Sequence, residues 1–240
     1  MGVDPQQRLL LFGANGQIGQ AIKQEFASKG WEVLSVTRDQ KIATKSSGNI
    51  YWDVLQGPQF ELPESLKKQK AFDAVCWAQG MNLSDDIYEF NVGAHRDLYE
   101  ANVVYILNSL SELVKHGALK EYARLTVISS IWQEITKPNK LSYSITKAAL
   151  RGLVLSLAAD MAADGYLING VLPGVLDTPM TRENLTEAQM NSVKKATYFD
   201  RLPTLEDVAR TVSFLSSKEN TGLTGQFIKV DLGFSDVRNI

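Results

Sequence analysis

The sequence of 240 residues is poor in the side chains that form disulfides and metal sites. Cys76 is the only cysteine, so an internal disulfide is impossible and a reducing compartment is expected. It lies in an apolar stretch, where an inert packing role is expected rather than a nucleophilic one. The two histidines, His95 and His116, have no partnering cysteine or carboxylate pattern, so we expect no metal site.

Long apolar runs and a strong net charge are also missing. No apolar run approaches the ~18 residues of a membrane span. The first residues, MGVDPQQR, lack the basic and apolar regions of a secretory signal, and Gln6 stands where a myristoylation motif has Ser or Thr. The net charge of −2 gives no electrostatic case for nucleic acid or an anionic membrane. We therefore expect a cytoplasmic protein with neither as a partner.

The apolar residues that are present alternate between short runs and longer amphipathic segments, which is typical of βαβ units. The pattern predicts strands at Arg8–Phe12, Val33–Thr37, around Tyr51–Trp52, Ala74–Trp77, Leu125–Ile128, Leu167–Leu172 and Gln226–Val230. It predicts helices over Gln17–Lys29, Phe60–Gln69, Gly93–Lys115, Ser142–Ala163 and Thr204–Ser216, the last with a capping box. The fold class is therefore α/β, with a single Rossmann-type doubly wound domain over residues 1–240. We expect a mainly parallel sheet of seven strands flanked by helices, with ligands at the carboxyl ends of the strands.

A glycine-rich turn, GANGQIG over residues 13–19, lies between the first predicted strand and helix. Glycines permit a close backbone approach, and the N-terminus of the helix offers free N–H groups to a pyrophosphate. This is the context of a dinucleotide-binding site. The predicted cofactor contacts of the turn are Gly13, Asn15, Gly16, Gln17, Ile18 and Gly19.

The end of the second predicted strand bears on the choice of cofactor. An acidic residue there would bind the ribose 2′-hydroxyl of NAD, but Thr37 occupies that position. Arg38 follows and can form a fork onto a 2′-phosphate, so NADP is favoured. NAD stays possible because Asp39 could also reach the ribose.

A Tyr–Lys pair opens the second long helix. Tyr143 and Lys147 are four residues apart, which puts both side chains on one face of the helix. Ser130 lies at the carboxyl end of the fifth predicted strand, and Asn102 lies inside the preceding long helix. These positions predict a common catalytic centre.

In the order and spacing of these motifs, the chain resembles the short-chain dehydrogenase/reductase family along almost its whole length. The resemblance assigns the catalytic tetrad to Asn102, Ser130, Tyr143 and Lys147, and it gives Tyr143 and Lys147 a part in cofactor binding as well. It adds Asp53, Val54, Ala78, Gln79, Gly80, Pro173, Gly174 and Thr178 to the cofactor contacts, and it matches Asp231-Leu232-Gly233 to the closing motif. The turn departs from the family's usual GxxxGxG and looks more like that of the extended, epimerase-like branch. The segment Trp77-Ala78-Gln79-Gly80 replaces the usual Asn-Asn-Ala-Gly.

The resemblance implies an NAD(P)-dependent oxidoreductase that interconverts a carbonyl and a secondary alcohol. Tyr143 would be the general acid/base, with its pKa lowered by the Lys147 ammonium. Ser130 would hydrogen-bond the carbonyl oxygen as negative charge develops on it. Lys147 would also hold the nicotinamide ribose, and Asn102 would support a water-linked proton path to Lys147.

The substrate region is expected to comprise the Ile131–Leu141 loop and a mobile lid at about residues 178–199, in which Thr181–Ala196 can form an amphipathic helix. Trp132 and Gln133 either contact the substrate or lie in a surface loop. No cluster of Arg or Lys there indicates a phosphate or coenzyme A ester, so the sequence predicts only a small-molecule carbonyl or alcohol. The two long helices resemble those that pair in family oligomers, and we expect a homotetramer or homodimer.

Two other functions are compatible with the motifs. The turn suggests an epimerase or dehydratase, although these enzymes generally have a larger C-terminal substrate domain. A non-catalytic NADP-sensing protein would bind the same cofactor, but known sensors tend to lack the Tyr–Lys pair.

Overall fold

The structure, a computed structural model, describes residues 6–44, 48–55 and 61–237. Its described strands are β1 (Arg8–Phe12), β2 (Glu32–Thr37), β3 (Asn49–Tyr51), β4 (Phe72–Trp77), β5 (Leu119–Ile128), β6 (Leu167–Pro173) and β7 (Phe227–Val230). They form one seven-stranded sheet in the order β3-β2-β1-β4-β5-β6-β7, in which every pair is parallel. The predicted doubly wound fold class is confirmed.

Helices cover both faces of this sheet. The described α-helices are α1 (Gln17–Ser28), α2 (Gln40–Ala43), α3 (Glu64–Lys67), α4 (Val92–Tyr99), α5 (Tyr105–Lys115), α6 (Leu141–Asp160), α7 (Pro179–Asn184), α8 (Glu187–Ala196) and α9 (Leu205–Ser216). A π-helical segment at Glu100–Val104 joins α4 to α5, and 3₁₀ turns occupy Ile131–Gln133 and Ala162–Asp164. None of the helices in the described residues is long and apolar enough to cross a membrane.

The core is split by the sheet, because successive side chains of a strand point to opposite faces. Leu10 and Phe12 of β1 enter one hydrophobic cluster, whereas Leu9 and Leu11 enter the other. All five residues of β1 are buried, as expected for a central parallel strand. Trp77 stacks on Phe12 with ring centroids 5.7 Å apart and is fully buried, so it is a core residue.

Several predicted helices have other boundaries in the structure. The helix predicted over Gly93–Lys115 is present as a continuous helical run from Val92 to Lys115, but its middle turn, Glu100–Val104, is π-helical. Thr181–Ala196 is not one helix: Leu185 is extended, and Thr186 starts α8 with a capping box to Gln189. A cap that satisfies the first N–H groups favours a new helix start at that point.

One further helix prediction differs in extent, and one feature of a helix start is confirmed. The helix predicted over Phe60–Gln69 covers only Glu64–Lys67, since Pro63 is its N-cap; residue 60 lies outside the described residues. The capping box at Thr204 and Asp207 is confirmed at the start of α9.

Candidate active site

The glycine-rich turn packs tightly against the loop that follows β4. Gly13 has a φ of +77°, and a Cβ there would lie 2.5 Å from the backbone N of Gln79. A Cβ on Gly19 would lie 2.2 Å from the carbonyl oxygen of Gly13. Both positions therefore require glycine, and the turn brings bare backbone to the edge of the sheet. Gly16 is the N-cap of the twelve-residue helix α1, whose first N–H groups face this edge.

A cleft opens between this turn, the end of β2 and the loop after β4. Arg38 is exposed beside it, with its guanidinium carbon 5.9 Å from the centroid of the Tyr105 ring. Asp39 instead caps α2, because one carboxylate oxygen accepts a hydrogen bond of 2.8 Å from the backbone N of Lys41. The lining of the cleft includes Gly13, Asn15, Gly16, Thr37, Arg38, Asp53, Ala78, Gln79, Gly80 and Tyr105.

Gln79 has an unusual place in this cleft. Its side-chain oxygen and nitrogen are both buried, and neither has a hydrogen-bond partner within the part of the chain that the structure describes. Leaving such a group unpaired costs ~1–3 kcal/mol. A polar ligand in the cleft would therefore supply the hydrogen-bond partners that this amide lacks.

The predicted catalytic pair, Tyr143 and Lys147, lies on the first turns of α6. Lys147 is 4% exposed, and its Nζ donates to the carbonyl oxygen of Ile128 at 3.2 Å. The same Nζ is 5.6 Å from the centroid of the Tyr143 ring. Ser130, directly after β5, is buried beside them. The fold thus brings together the three side chains that the sequence predicted.

The pKa values of this pair differ from expectation. Burial raises the pKa of Tyr143 to about 12, and a hydrogen bond from Ser130 partly opposes that rise. Burial also lowers the pKa of Lys147 to about 8. The predicted net lowering of the Tyr143 pKa is therefore wrong in this structure, because removal of the phenolate from water is the largest influence on it.

Asn102 lies in the π-helical segment and is 2% exposed. Its Oδ1 accepts from the backbone N of Met81 at 2.8 Å, while its Nδ2 donates to the Met81 carbonyl at 3.1 Å and to Thr146 Oγ1 at 3.0 Å. A Cβ on Gly80 would be 3.3 Å from Asn102 Oδ1 and 3.7 Å from Lys147 Nζ. The Asn102 side chain therefore positions the loop after β4 against α6.

A second cavity lies on the other side of Tyr143. Its lining includes Ile18, Asn82, Ser129, Ser130, Trp132, Lys137, Lys140, Tyr143, Pro173, Gly174, Val175, Leu176, Thr178, Thr181 and Leu185. The lining combines the predicted cofactor contacts Pro173, Gly174 and Thr178 with residues of the loop that precedes α6. Trp132 lines the cavity, whereas Gln133 is buried behind it and accepts a hydrogen bond from Ser129.

Sequence reasoning did not single out Lys140, which is 5% exposed in this cavity. Its Nζ donates to Asn82 Oδ1 at 2.6 Å and lies 5.2 Å from the Tyr143 ring centroid. Its position three residues before Tyr143 was the available signal.

Four predicted cofactor contacts do not line either cavity, and Lys147 is one of them, since its Nζ donates to the Ile128 carbonyl. Gln17 is exposed at the start of α1, and Gly19 packs on the turn itself. The Val54 side chain is buried in the core, and its carbonyl oxygen accepts from Asn108 at 3.0 Å. The closing motif supports the site indirectly. Asp231 accepts hydrogen bonds from Gly233 and Ser235, and it packs against Gly174 of the second cavity.

This arrangement agrees with what the chain is similar to. The short-chain dehydrogenase family model described as enoyl-(acyl carrier protein) reductase matches residues 13–235. The 3-oxoacyl-[acyl-carrier-protein] reductase of Rickettsia felis is 29% identical over 240 residues, covering 93% of this chain and 95% of that protein. Glucose 1-dehydrogenase of Gluconobacter oxydans is 25% identical over 245 residues, covering 95% of this chain and 92% of that protein.

Solved structures share the fold over nearly the whole chain. Gluconate 5-dehydrogenase of Burkholderia cenocepacia, solved with NADP and tartrate, has a TM-score of 0.86 at 21% identity, with 98% of this chain and 97% of that chain covered. The names of these proteins differ in substrate but agree on the class of reaction. The chain belongs to the short-chain dehydrogenase/reductase family and is an NAD(P)-dependent oxidoreductase that acts on a carbonyl or an alcohol.

Proposed function

We propose that the protein is an NADP-preferring reductase in which Tyr143 gives the proton and Ser130, Lys147 and Asn102 support it. The observation that carries this proposal is the convergence of Ser130 and Lys147 on Tyr143, whose ring lines the second cavity together with Ser130. Proton transfer to a developing alkoxide needs an acid that still holds its proton at neutral pH. The Tyr143 phenol, with a pKa of about 12, meets that need.

The residues present fit a dinucleotide phosphate. Gly13 and Gly16 of the turn line the cleft with bare backbone, and the buried amide of Gln79 has no partner among the described residues. Arg38 is exposed at the β2 end of this cleft, while the Asp39 carboxylate is engaged in capping α2. Arg38 would thus be available for a 2′-phosphate, and Gln79 for the adenosine half of either cofactor.

When bound, the nicotinamide supplies or accepts the hydride. Ser130 would donate a hydrogen bond to the substrate oxygen, and this bond strengthens as the oxygen gains charge. Tyr143 would donate its proton to that oxygen in reduction and accept it in oxidation. Lys147 would hold the ribose and, as an ammonium, stabilise the phenolate left on Tyr143. Asn102 would fix the loop at Gly80 and Met81 that the cofactor must pass.

The cofactor preference is tested by two matched substitutions. Arg38→Ala should weaken NADPH binding roughly 10- to 100-fold, the effect of losing a charged hydrogen-bond partner, and leave NADH nearly unchanged. Gln79→Ala should weaken both cofactors by a similar, smaller factor. Titration monitored by nicotinamide fluorescence measures all six affinities, those of both cofactors for the wild type and for each variant. Tighter NADH binding in the wild type, or equal losses of both cofactors in Arg38→Ala, would contradict the NADP assignment.

We also propose a homodimer or homotetramer formed through α5 and α6. Leu107 and Val114 on α5 and Ile145 and Leu155 on α6 are exposed apolar side chains. Closed symmetry would bury such a patch against its own copy. Light scattering at micromolar concentration should give two or four times the chain mass of 26.6 kDa, and a monomer would contradict this.

A further inference from the structure

The loop before α6 places a second buried ammonium beside the catalytic tyrosine. Lys140 Nζ is 5.2 Å from the centroid of the Tyr143 ring, whereas Lys147 Nζ is 5.6 Å from it. The two lysines differ in their surroundings: Lys140 lines the cavity that holds Ser130 and Thr178, whereas Lys147 is not part of its lining. Lys140 therefore faces the space where a substrate would lie.

The hydrogen-bond partners of Lys140 are neutral. Its Nζ donates to Asn82 Oδ1 at 2.6 Å and to the Leu83 carbonyl at 3.5 Å. The ion pairs within the described ranges include no carboxylate within 4.0 Å of this Nζ. Asp85 is the carboxylate that acts on Lys140 from a distance, but its oxygens accept from the backbone and hydroxyl of Ser142.

A buried ammonium without an adjacent anion is unfavourable, because desolvation disfavours its charged form. The pKa of Lys140 lies below its ordinary value. Burial and the charge of Lys137 lower it, and the Asp85 carboxylate opposes this shift. Lys137 lines the same cavity, with its Nζ 5.9 Å from the Trp132 ring centroid. The lining contains two cations and no Asp or Glu. An anion in this cavity would relieve the repulsion between the lysines and pair with both.

Resting on the proposed carbonyl–alcohol activity, we propose that Lys140, assisted by Lys137, binds an anionic carboxylate or phosphate group of the substrate. An oxygen that accepts from Lys140 Nζ at the usual ~2.9 Å lies within about 8 Å of the Tyr143 ring centroid. This distance is short enough for one small molecule to present its anionic group to Lys140 and its carbonyl to Tyr143, with a few bonds between them.

The test compares charged carbonyl compounds with neutral partners of similar size. Acetoacetate and levulinate are paired with their methyl esters, and dihydroxyacetone phosphate is paired with dihydroxyacetone. Reduction of each is followed by NADPH absorbance with the full chain. We expect a higher kcat/KM for the charged member of at least one pair, and the oxo acids and the phosphate ketone distinguish the two kinds of anion.

Substitution of Lys140 then assigns the preference. Lys140→Gln keeps a donor for Asn82 but removes the charge, and it should lower the charged-to-neutral ratio of kcat/KM roughly 10- to 100-fold. Lys140→Arg should retain most of the ratio, and Lys137→Gln should lower it by a smaller factor. Lys68→Gln is the matched control, because Lys68 is exposed at the end of α3, at the opposite edge of the sheet.

Thermal unfolding with each compound and NADP present measures binding without turnover. The charged compounds should raise the midpoint of the wild type more than that of Lys140→Gln. Equal ratios in the folded wild type and Lys140→Gln, or neutral compounds preferred in every pair, would overturn the anion site. Retained turnover in Tyr143→Phe would instead overturn the proposed catalytic mechanism and leave the charge preference to be judged by itself.

Discussion

The two edges of the parallel sheet treat buried charge in opposite ways. At the amino edge, Arg8 is 4% exposed and pairs with Glu32 at 2.8 Å, while Lys120 pairs with Asp73 at 2.8 Å. At the carboxyl edge, Lys147 is equally buried, but its Nζ donates to the backbone carbonyl of Ile128. Arg8 thus has a carboxylate partner within the chain, whereas Lys147 has no carboxylate partner among the ion pairs of the described residues.

This difference separates stability from function. A cation with its own carboxylate contributes to folding through charged hydrogen bonds. A cation or amide held without one costs folding free energy, and it persists where binding repays that cost. Gln79 at the carboxyl edge fits the second description, as its amide is buried and unpaired among the described residues. We expect substitutions at the two edges to affect different measurements.

The largest expected effect is on turnover at the carboxyl edge. Tyr143→Phe removes one hydroxyl and keeps the ring, so kcat should fall by roughly 10²–10⁴-fold, as is typical of lost general acid catalysis. Cofactor affinity and the thermal midpoint should stay close to the wild-type values. Steady-state rates on a verified substrate, together with a cofactor titration, measure both. Near wild-type turnover would contradict the role of Tyr143.

The amino edge should show the reverse pattern. Arg8→Met removes the ion pair with Glu32 and a bond to Gln69, and should lower the free energy of unfolding by about 1–3 kcal/mol without changing kcat/KM. Glu32 is 44% exposed, so solvent screening reduces the share of the ion pair itself. Urea unfolding of both proteins gives the difference.

The same variant has a pH signature. A hydrogen bond from Arg8 lowers the pKa of Glu32 below its ordinary 4.5. A lowered carboxylate pKa stabilises the fold above the unfolded value, and this contribution is lost as pH falls through the folded value. The difference in the free energy of unfolding between the wild type and Arg8→Met should therefore become smaller below about pH 4.5. A gap that widens on acidification would contradict the pairing.

The smallest expected effect is the pH dependence of cofactor affinity at the carboxyl edge. The pKa of Lys147 is about 8, so its ammonium is complete below that pH and is lost above it. If the ammonium holds the cofactor, NADH affinity should fall as pH rises above 8, by at most about tenfold per pH unit. Fluorescence titration in a pH series measures this slope. Lys147→Met should bind weakly with no slope, and the exposed Lys68→Met should keep it.

Local patterns were sufficient for most of the fold. The five apolar residues of β1 and the glycine turn after it predict a buried strand that leads into a helix, and both are present. The spacing of Tyr143 and Lys147 placed both on one helix face. The π-helical turn that contains Asn102 was not predicted, because nothing in the apolar spacing of this helix marks such a turn.

The order of strands and helices, the glycine turn and the catalytic side chains follow from sequence, because they depend on local spacing and on residue type. The environment of those side chains does not. Tyr143 has a raised pKa because distant segments bury it, and Lys140 becomes part of the site because the loop at Asn82 folds back over it. Burial and the pairing of charges are sums over contacts between residues far apart in the chain, so these properties arise only when the sheet and its loops are assembled.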